Sequence, residues 1–352
     1  MMKDHRPSFV TSQLENAPVI GICGSSGAGK TTLIEALIPR LKNDGLRVAV
    51  VKHGAHNVQI DTPGKDSDRF FCAGADVSLF GEECFSRWHG QDDFIPFLLN
   101  LCKSYDLVVV EGHASTPVPK IWLLGRGFSA PPKNQGEIIQ TFTRQEAGVE
   151  QIHSFLQGWL QEKIEKAPVY GCVLIGGKSS RMGQPKHLIS SNGQTWLEQA
   201  VAKLAEVTPR VVISGQGEVP AALAEIQRIP DVTGLAGPMA GILSVMRWQP
   251  CVSWLVMACD LPDVQLQSLA WLLSCRRPGV RAIMPDLAGD GRIDPLLAWY
   301  DCRCRVYLEE IAASGGLRMS ALANQPGVVH PKPPESLQGS WRNVNTPDEL
   351  TT

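Results

Sequence analysis

Short apolar runs alternate with segments of helical period along the first half of the chain. The apolar runs are VIGI at 19–22, LRVAVVKH at 46–53 and YDLVVVEG at 105–112, and TLIEALIPRL at 32–41 repeats its apolar residues at helical spacing. Strands that are apolar on both faces and joined by helices are typical of a parallel sheet covered on both sides. We therefore predict an α/β domain with a mostly parallel sheet.

The same alternation begins again after Pro168. Three further apolar runs predict strands, and two amphipathic segments between them predict helices. These segments are VYGCVLIGG, TWLEQAVAKLAEV, PRVVISG, AGILSVMRW and SWLVMACDLP. The second half is therefore predicted to be another α/β domain, of the Rossmann-like kind.

An amphipathic segment at 145–166 with the charged end EKIEK separates the two halves. We place the domain boundary at its end, which gives domains at 17–166 and 167–352. Residues 1–16 lack the apolar core of a signal peptide and are expected to form a disordered leader.

A phosphate-binding loop follows the first apolar run. The stretch GSSGAGKT at 24–31 has the spacing G-x-x-x-x-G-K-[ST] and lies between a predicted strand and a predicted helix, as this motif requires. Its amides cradle phosphates, Lys30 reaches the terminal phosphates and the Thr31 hydroxyl ligates magnesium. Glu111 ends a predicted buried strand, where an acid holds magnesium directly or through water. The predicted nucleotide-binding set is Gly27, Ala28, Gly29, Lys30, Thr31 and Thr32.

A second glycine-containing loop, VLIGGKSSRMGQPK at 173–186, follows the first strand of the second half. Glycines let the backbone approach phosphate oxygens, because no Cβ stands in the way. Arg181 and Lys186 are placed to neutralise the charge that grows as pyrophosphate leaves. The chain therefore carries two predicted nucleotide sites.

Two acids of the second half are candidates for the same site. Asp260 ends the strand SWLVMACD, and ligands of open α/β sheets bind at such strand ends. A carboxylate there is a natural magnesium ligand. Asp231 precedes a stretch rich in Gly and Pro that permits close approach of the backbone to a base or a pterin.

The composition is that of a two-domain globular protein and gives no indication of a nucleic-acid-binding or membrane-spanning one. The chain has 352 residues, 43% of them hydrophobic, which is enough for two buried cores. A net charge of −2 gives no electrostatic reason to expect nucleic acid, and no apolar run is long enough to span a membrane. Ten cysteines without a C-x-x-C pair favour reduced thiols and a cytoplasmic location.

The pattern L-x-G-G-x-S-x-R-M-G-x-x-K resembles the entry loop of the molybdenum cofactor guanylyltransferases (MobA), and GPMAG and VNTPDEL resemble later family segments. The resemblance covers nearly all of 168–352 and implies a role for each matching residue. Lys186 would bind phosphate, and Asp231 would contact the nucleotide. Asp260 would contact both the nucleotide and magnesium. The implied GTP-binding members of the loop are Leu174, Gly176, Gly177, Arg181 and Gly183, and the implied molybdopterin-side residues are Asn343 and Asn345.

Two positions depart from that family. Pro185 stands where the family commonly has Asp before the lysine, and Ser214 stands where it has Asn after the second strand. Gln184-Pro185 is closer to the cytidylyltransferase of the same cofactor pathway, whereas Gly176-Gly177 favours guanylyl transfer. A molybdopterin cytidylyltransferase therefore stays open as an alternative.

The first half resembles the small GTP-binding protein of molybdopterin guanine dinucleotide synthesis (MobB). The resemblance rests on the P-loop and on VVKHGAH, DTPGKDSDR and DLVVVEG, and it covers about 17–165. The guanine-reading motif N-K-x-D is absent, so a conventional GTPase is not expected. The alternative for this half is a module that mainly delivers cofactor or metal.

Together the resemblances imply a fusion of adaptor and transferase. The implied reaction is GTP plus Mo-molybdopterin giving molybdopterin guanine dinucleotide and pyrophosphate, with Mg²⁺ as cofactor and weak GTP hydrolysis in the first half. Implied partners are GTP, Mo-molybdopterin, other proteins of the pathway and the apoenzymes that accept the product. A homodimer is one option for assembly.

Overall fold

The computed structural model describes residues 17–52, 62–87, 94–125, 130–143, 146, 148–176, 184–191 and 193–344. These residues form two compact units that divide between Gly158 and Trp159. The division lies inside the helix that the sequence places at 145–166, a few residues before the predicted boundary at its end.

The first unit is built on a five-stranded sheet in which every pair of neighbouring strands is parallel. Its strands are β1 (Val19–Gly24), β2 (Val48–Lys52), β5 (Leu107–Glu111), β6 (Lys120–Leu123) and β7 (Ile138–Phe142), and a separate antiparallel hairpin consists of β3 (Val77–Phe80) and β4 (Cys84–Arg87). The order in the sheet is β2-β5-β1-β6-β7, so the strand that precedes the P-loop lies at the centre. The predicted parallel sheet is confirmed.

Helices connect these strands. The first begins at Lys30, directly after the P-loop glycine Gly29, and its buried side chains recur at helical spacing. The last runs through the division between the units. The helices are α1 (Lys30–Asn43), α2 (Asp66–Cys72), α3 (Phe94–Leu101) and α4 (Val149–Lys166).

The second unit contains a seven-stranded sheet. Its strands are β8 (Val169–Leu174), β11 (Val211–Ser214), β12 (Arg228–Ile229), β13 (Ser253–Ala258), β14 (Ala282–Ile283), β15 (Leu297–Tyr300) and β16 (Val328–Val329), and a small separate ribbon consists of β9 (Ser190–Ser191) and β10 (Gln194–Thr195). The order in the sheet is β12-β11-β8-β13-β15-β14-β16. All neighbouring pairs are parallel except those made by β15, which runs antiparallel to β13 and β14.

Helices cover both faces of this sheet. Alternate residues of β8 enter different cores: Val173 belongs to one, and Cys172 and Leu174 belong to the other. This alternation explains why the strand is apolar throughout. The helices are α5 (Trp196–Ala205), α6 (Pro238–Trp248), α7 (Leu266–Ser274), α8 (Arg305–Ala313) and α9 (Glu335–Gln338).

A capping box fixes the start of α5. The Thr195 side chain accepts from the Glu198 amide, and the Glu198 carboxylate accepts from the Thr195 amide at 2.6 Å.

In the part of the chain that is described, no helix is both long and apolar enough to cross a membrane.

Candidate functional site

The first candidate site is the P-loop at the end of β1. Gly27 and Gly29 have φ angles of 74° and 89°, a left-handed backbone that glycine adopts without steric cost. A Cβ added at Gly24 would lie 2.5 Å from the Leu123 carbonyl oxygen, so no side chain fits there. These glycines allow the chain to turn from a central strand directly into α1.

The cationic and acidic groups of this site are already assembled. The Lys30 ammonium donates to the carbonyl oxygens of Gly24 at 3.0 Å and Ser25 at 2.9 Å. The Thr31 hydroxyl donates to the Glu111 carboxylate at 2.5 Å. The structure thus brings together the predicted lysine, hydroxyl and acid, with Ala28 in the loop and Thr32 exposed in the first turn of α1.

The second candidate site lies where β8 and β13 end. The two strands are parallel neighbours, with Leu174 opposite Ala258, so the residues that follow them meet at one edge of the sheet. Gly176 follows β8 with a φ of 115°. The Lys186 ammonium lies 2.8 Å from the Asp260 carboxylate. A cation and an acid that are 74 positions apart in the chain therefore form one pair.

Asp260 has the chemistry that a magnesium ligand needs. One of its oxygens is bonded to Lys186, and the other, Oδ1, is buried without a hydrogen-bond partner among the described residues. An orphaned carboxylate oxygen at a sheet edge can accept a hard cation. No cluster of three or more metal-binding side chains occurs in the described ranges.

Asp294 lies beside this acid and was not expected from the sequence. Its Oδ1 accepts from the amides of Leu296 and Leu297, and the Leu296 carbonyl accepts from the Ala258 amide. Burial raises the pKa of Asp294, two backbone hydrogen bonds lower it, and the charge of Asp260 raises it further. The only available signal was the Asp-Pro pair before the apolar run of β15.

Asp231 lies on the other side of β8, near the start of α6. A Cβ added at Gly241 would come within 3.5 Å of the Asp231 carboxylate, and burial raises the pKa of this acid. Ser214 is fully buried, and its hydroxyl donates to the Gly241 carbonyl at 3.1 Å. Ser214 therefore supports α6 from within the protein.

The C-terminal segment reaches the second site through its backbone. The amide of Val344 donates to the Asp260 carbonyl at 3.1 Å, which places the preceding Asn343 next to the candidate acid. Four predicted residues lie outside the described residues: Gly177, Arg181, Gly183 and Asn345.

The cysteine beside Asp260 has a thiol that is not reactive at neutral pH. Cys259 directly precedes Asp260, and burial raises the pKa of its thiol to about 12, with the charge of Asp260 adding to the increase. The thiol therefore stays protonated at neutral pH.

Comparison with known proteins associates each unit with a different family. The model for Molybdopterin guanine dinucleotide synthesis protein B matches residues 19–144, and the model for the MobA-like NTP transferase domain matches residues 171–327. The molybdopterin-guanine dinucleotide biosynthesis adapter protein of Haemophilus influenzae is 34% identical over 170 residues, which are 43% of this chain and 93% of that protein.

Two further relatives match the second half. A probable molybdenum cofactor guanylyltransferase of Bacillus cereus is 29% identical over 187 residues, which are 51% of this chain and 92% of that protein. The solved structure of molybdopterin-guanine dinucleotide biosynthesis protein A from Archaeoglobus fulgidus has 27% identity and a TM-score of 0.45, and covers 52% of this chain and 95% of that one.

Proposed function

The chain belongs to the molybdopterin guanine dinucleotide synthesis protein B family through its first unit and carries a MobA-like NTP transferase domain in its second, and from this we propose a bifunctional enzyme. The second unit transfers GMP from GTP to Mo-molybdopterin, giving molybdopterin guanine dinucleotide and pyrophosphate. The first unit binds GTP and assists as an adaptor.

The Lys186–Asp260 pair at the adjoining ends of β8 and β13 is the main support for transfer in the second unit. The pair brings two opposite charges within 2.8 Å of each other. With nucleotide bound, the Lys186 ammonium turns to the phosphate oxygens, where it stabilises the negative charge that develops on the leaving pyrophosphate. Leu174 at the end of β8, Gly176 after it, and Asp231 are also proposed to hold the nucleotide.

Magnesium is the proposed cofactor of both units. Asp260 would hold it in the second unit, and Thr31 with Glu111 would hold it in the first. A bound magnesium ion polarises phosphoryl oxygens and orients the triphosphate. The unpartnered Oδ1 of Asp260 and the short Thr31–Glu111 hydrogen bond support these assignments.

In the first unit, Lys30 is proposed to leave the loop carbonyls and bind the terminal phosphates of GTP. A weak GTPase activity of the first unit is part of the proposal. Asn343 and Asn345 are proposed to face the molybdopterin, since the backbone of Val344 already contacts Asp260.

We also propose a cytoplasmic location and a functional boundary at 166/167. The proposed partners are the pathway proteins and the acceptor apoenzymes.

Incubation with each nucleoside triphosphate, magnesium and Mo-molybdopterin tests the function directly. Mass spectrometry of the products should show molybdopterin guanine dinucleotide from GTP. The second candidate, cytidylyl transfer, is favoured by Gln184-Pro185, which directly precede the Lys186 turn. A cytosine dinucleotide as the main product would establish that alternative, and no dinucleotide from any nucleotide would refute both.

A further inference from the structure

His187 follows the candidate phosphate-binding lysine and is almost completely buried, with 4% exposure. Its Nε2 lies 2.9 Å from the Glu218 carbonyl oxygen. A carbonyl only accepts hydrogen bonds, so Nε2 carries the proton and donates it. The side chain therefore joins the turn at Lys186–Leu188 to the loop at 215–218, which follows β11.

The loop at 215–218 fits closely around this histidine. A Cβ added at Gly217 would lie 2.9 Å from the imidazole Cε1, so any larger residue there would displace the ring. A Cβ added at Gly215 would lie 1.9 Å from the Ile175 carbonyl oxygen. The loop that holds His187 thus packs directly on the backbone that leads into the nucleotide loop.

The Lys186 turn is held on both sides of the lysine. It is a single 3-10 turn, a structure with weaker hydrogen-bond geometry than an α-helix. On its C-terminal side, Ile189 is anchored in a small buried cluster with Trp196 and Val344. The hydrogen bond of His187 to the Glu218 carbonyl holds the turn at the residue next to Lys186.

We propose that His187 is a positioning residue for guanylyl transfer, which holds the Lys186 turn against the 215–218 loop so that the ammonium faces Asp260. The proposal rests on the proposed function of the second unit. His187 touches neither phosphate nor metal in this account. Its effect passes through the backbone of the turn to Lys186, and therefore concerns the rate of transfer more than the binding of GTP.

The test compares His187→Leu, which removes the donor, with His187→Gln, whose amide can donate to Glu218. His330→Leu is the matched control, because both ring nitrogens of His330 are bonded to carbonyls of the same unit, those of Met284 and Ala323. Each full-length variant is tested for thermal unfolding, for kcat and KM with GTP, and for the rate at which an amine-reactive acylating reagent labels Lys186 without nucleotide.

We expect His187→Leu to lower kcat about tenfold with little change in KM, and to raise Lys186 labelling about threefold, since one buried hydrogen bond is lost. His187→Gln should restore both, and His330→Leu should change neither even if it lowers the melting temperature. Unchanged labelling in His187→Leu, a loss confined to KM, or equal losses in the Leu and Gln variants would overturn the proposal. If labelling changes as expected but the wild type makes no dinucleotide, the positioning role stands and the proposed function fails.

Discussion

The two nucleotide sites of this chain are built in different ways. In the first unit, the loop, lysine and hydroxyl come from eight consecutive residues at 24–31, and only Glu111 is distant in sequence. In the second unit, the lysine and the acid come from positions 186 and 260 and meet because β8 and β13 are neighbours. The first site is therefore a local motif, and the second depends on the tertiary fold.

This difference separates binding from chemistry. The P-loop presents backbone amides and one lysine to phosphates, which suits tight nucleotide binding. The second site has a cation and a carboxylate with one unpartnered oxygen at the ends of two parallel strands. This arrangement suits the stabilisation of charge during transfer. We propose that the two sites act independently, the first as an adaptor and the second as the catalyst.

The largest expected effect is that of Asp260→Asn. Loss of the carboxylate charge should remove several kcal/mol of transition-state stabilisation, so transfer should fall below detection while GTP binding to the P-loop stays unchanged. Pyrophosphate release measures the rate of transfer. Nucleotide binding by the full-length protein measures GTP binding to the P-loop. Asp263→Asn is the control, because Asp263 is an exposed acid of the same unit that pairs with Arg342. Wild-type transfer by Asp260→Asn would refute the assignment.

Glu111→Gln tests the corresponding acid of the first unit. Without this carboxylate, the apparent magnesium affinity for GTP hydrolysis should fall by about 10- to 100-fold, as when a partner of a metal ligand is lost. Dinucleotide formation should not change. Glu35→Gln, an exposed position on α1, serves as control. An equal loss of transfer and hydrolysis would show that the sites are coupled.

The sequence predicts the first site better than the second, because the first is a local motif and the second depends on the tertiary fold. The strand and the helix on either side of the P-loop follow from local signals, apolar runs and helical period, although the helix begins at Lys30, two residues before the predicted segment at 32–41. Lys186 and Asp260 were predicted to share a site by the rule for strand ends. Asp294 and His187 were missed. Asp294 depends on β15 running antiparallel beside β13, and His187 depends on contact with the loop at 215–218.

The choice of base is expected to have a smaller effect. GTP should exceed CTP in kcat/KM by about tenfold or more, because the wrong base leaves buried polar groups unpaired. Competition between the two nucleotides in one reaction, with both products quantified by mass, measures the ratio directly. A preference for CTP would assign the second site to cytidylyl transfer and leave its separation from the P-loop untouched.

The smallest expected effect is on stability. Thr195→Ala removes the capping box of α5 and should cost about 1 kcal/mol, whereas Thr195→Ser keeps the hydroxyl and should cost little. Thermal unfolding monitored by hydrogen exchange should show the loss in the second unit only. A matching loss of protection in β1 and β5 would show that the stability of the units is linked.

The independence of the two sites can be measured by comparing Lys30→Ala with Lys186→Ala, side by side and with purified Mo-molybdopterin. Both GTP hydrolysis and dinucleotide formation are recorded on each preparation, with Lys42→Ala, an exposed position of α1, as control. Lys30→Ala should abolish hydrolysis and retain most transfer, because the second site has its own cation. Lys186→Ala should do the reverse. If Lys30→Ala stops transfer as completely as Lys186→Ala, the two sites are not independent and the division into adaptor and catalyst is wrong.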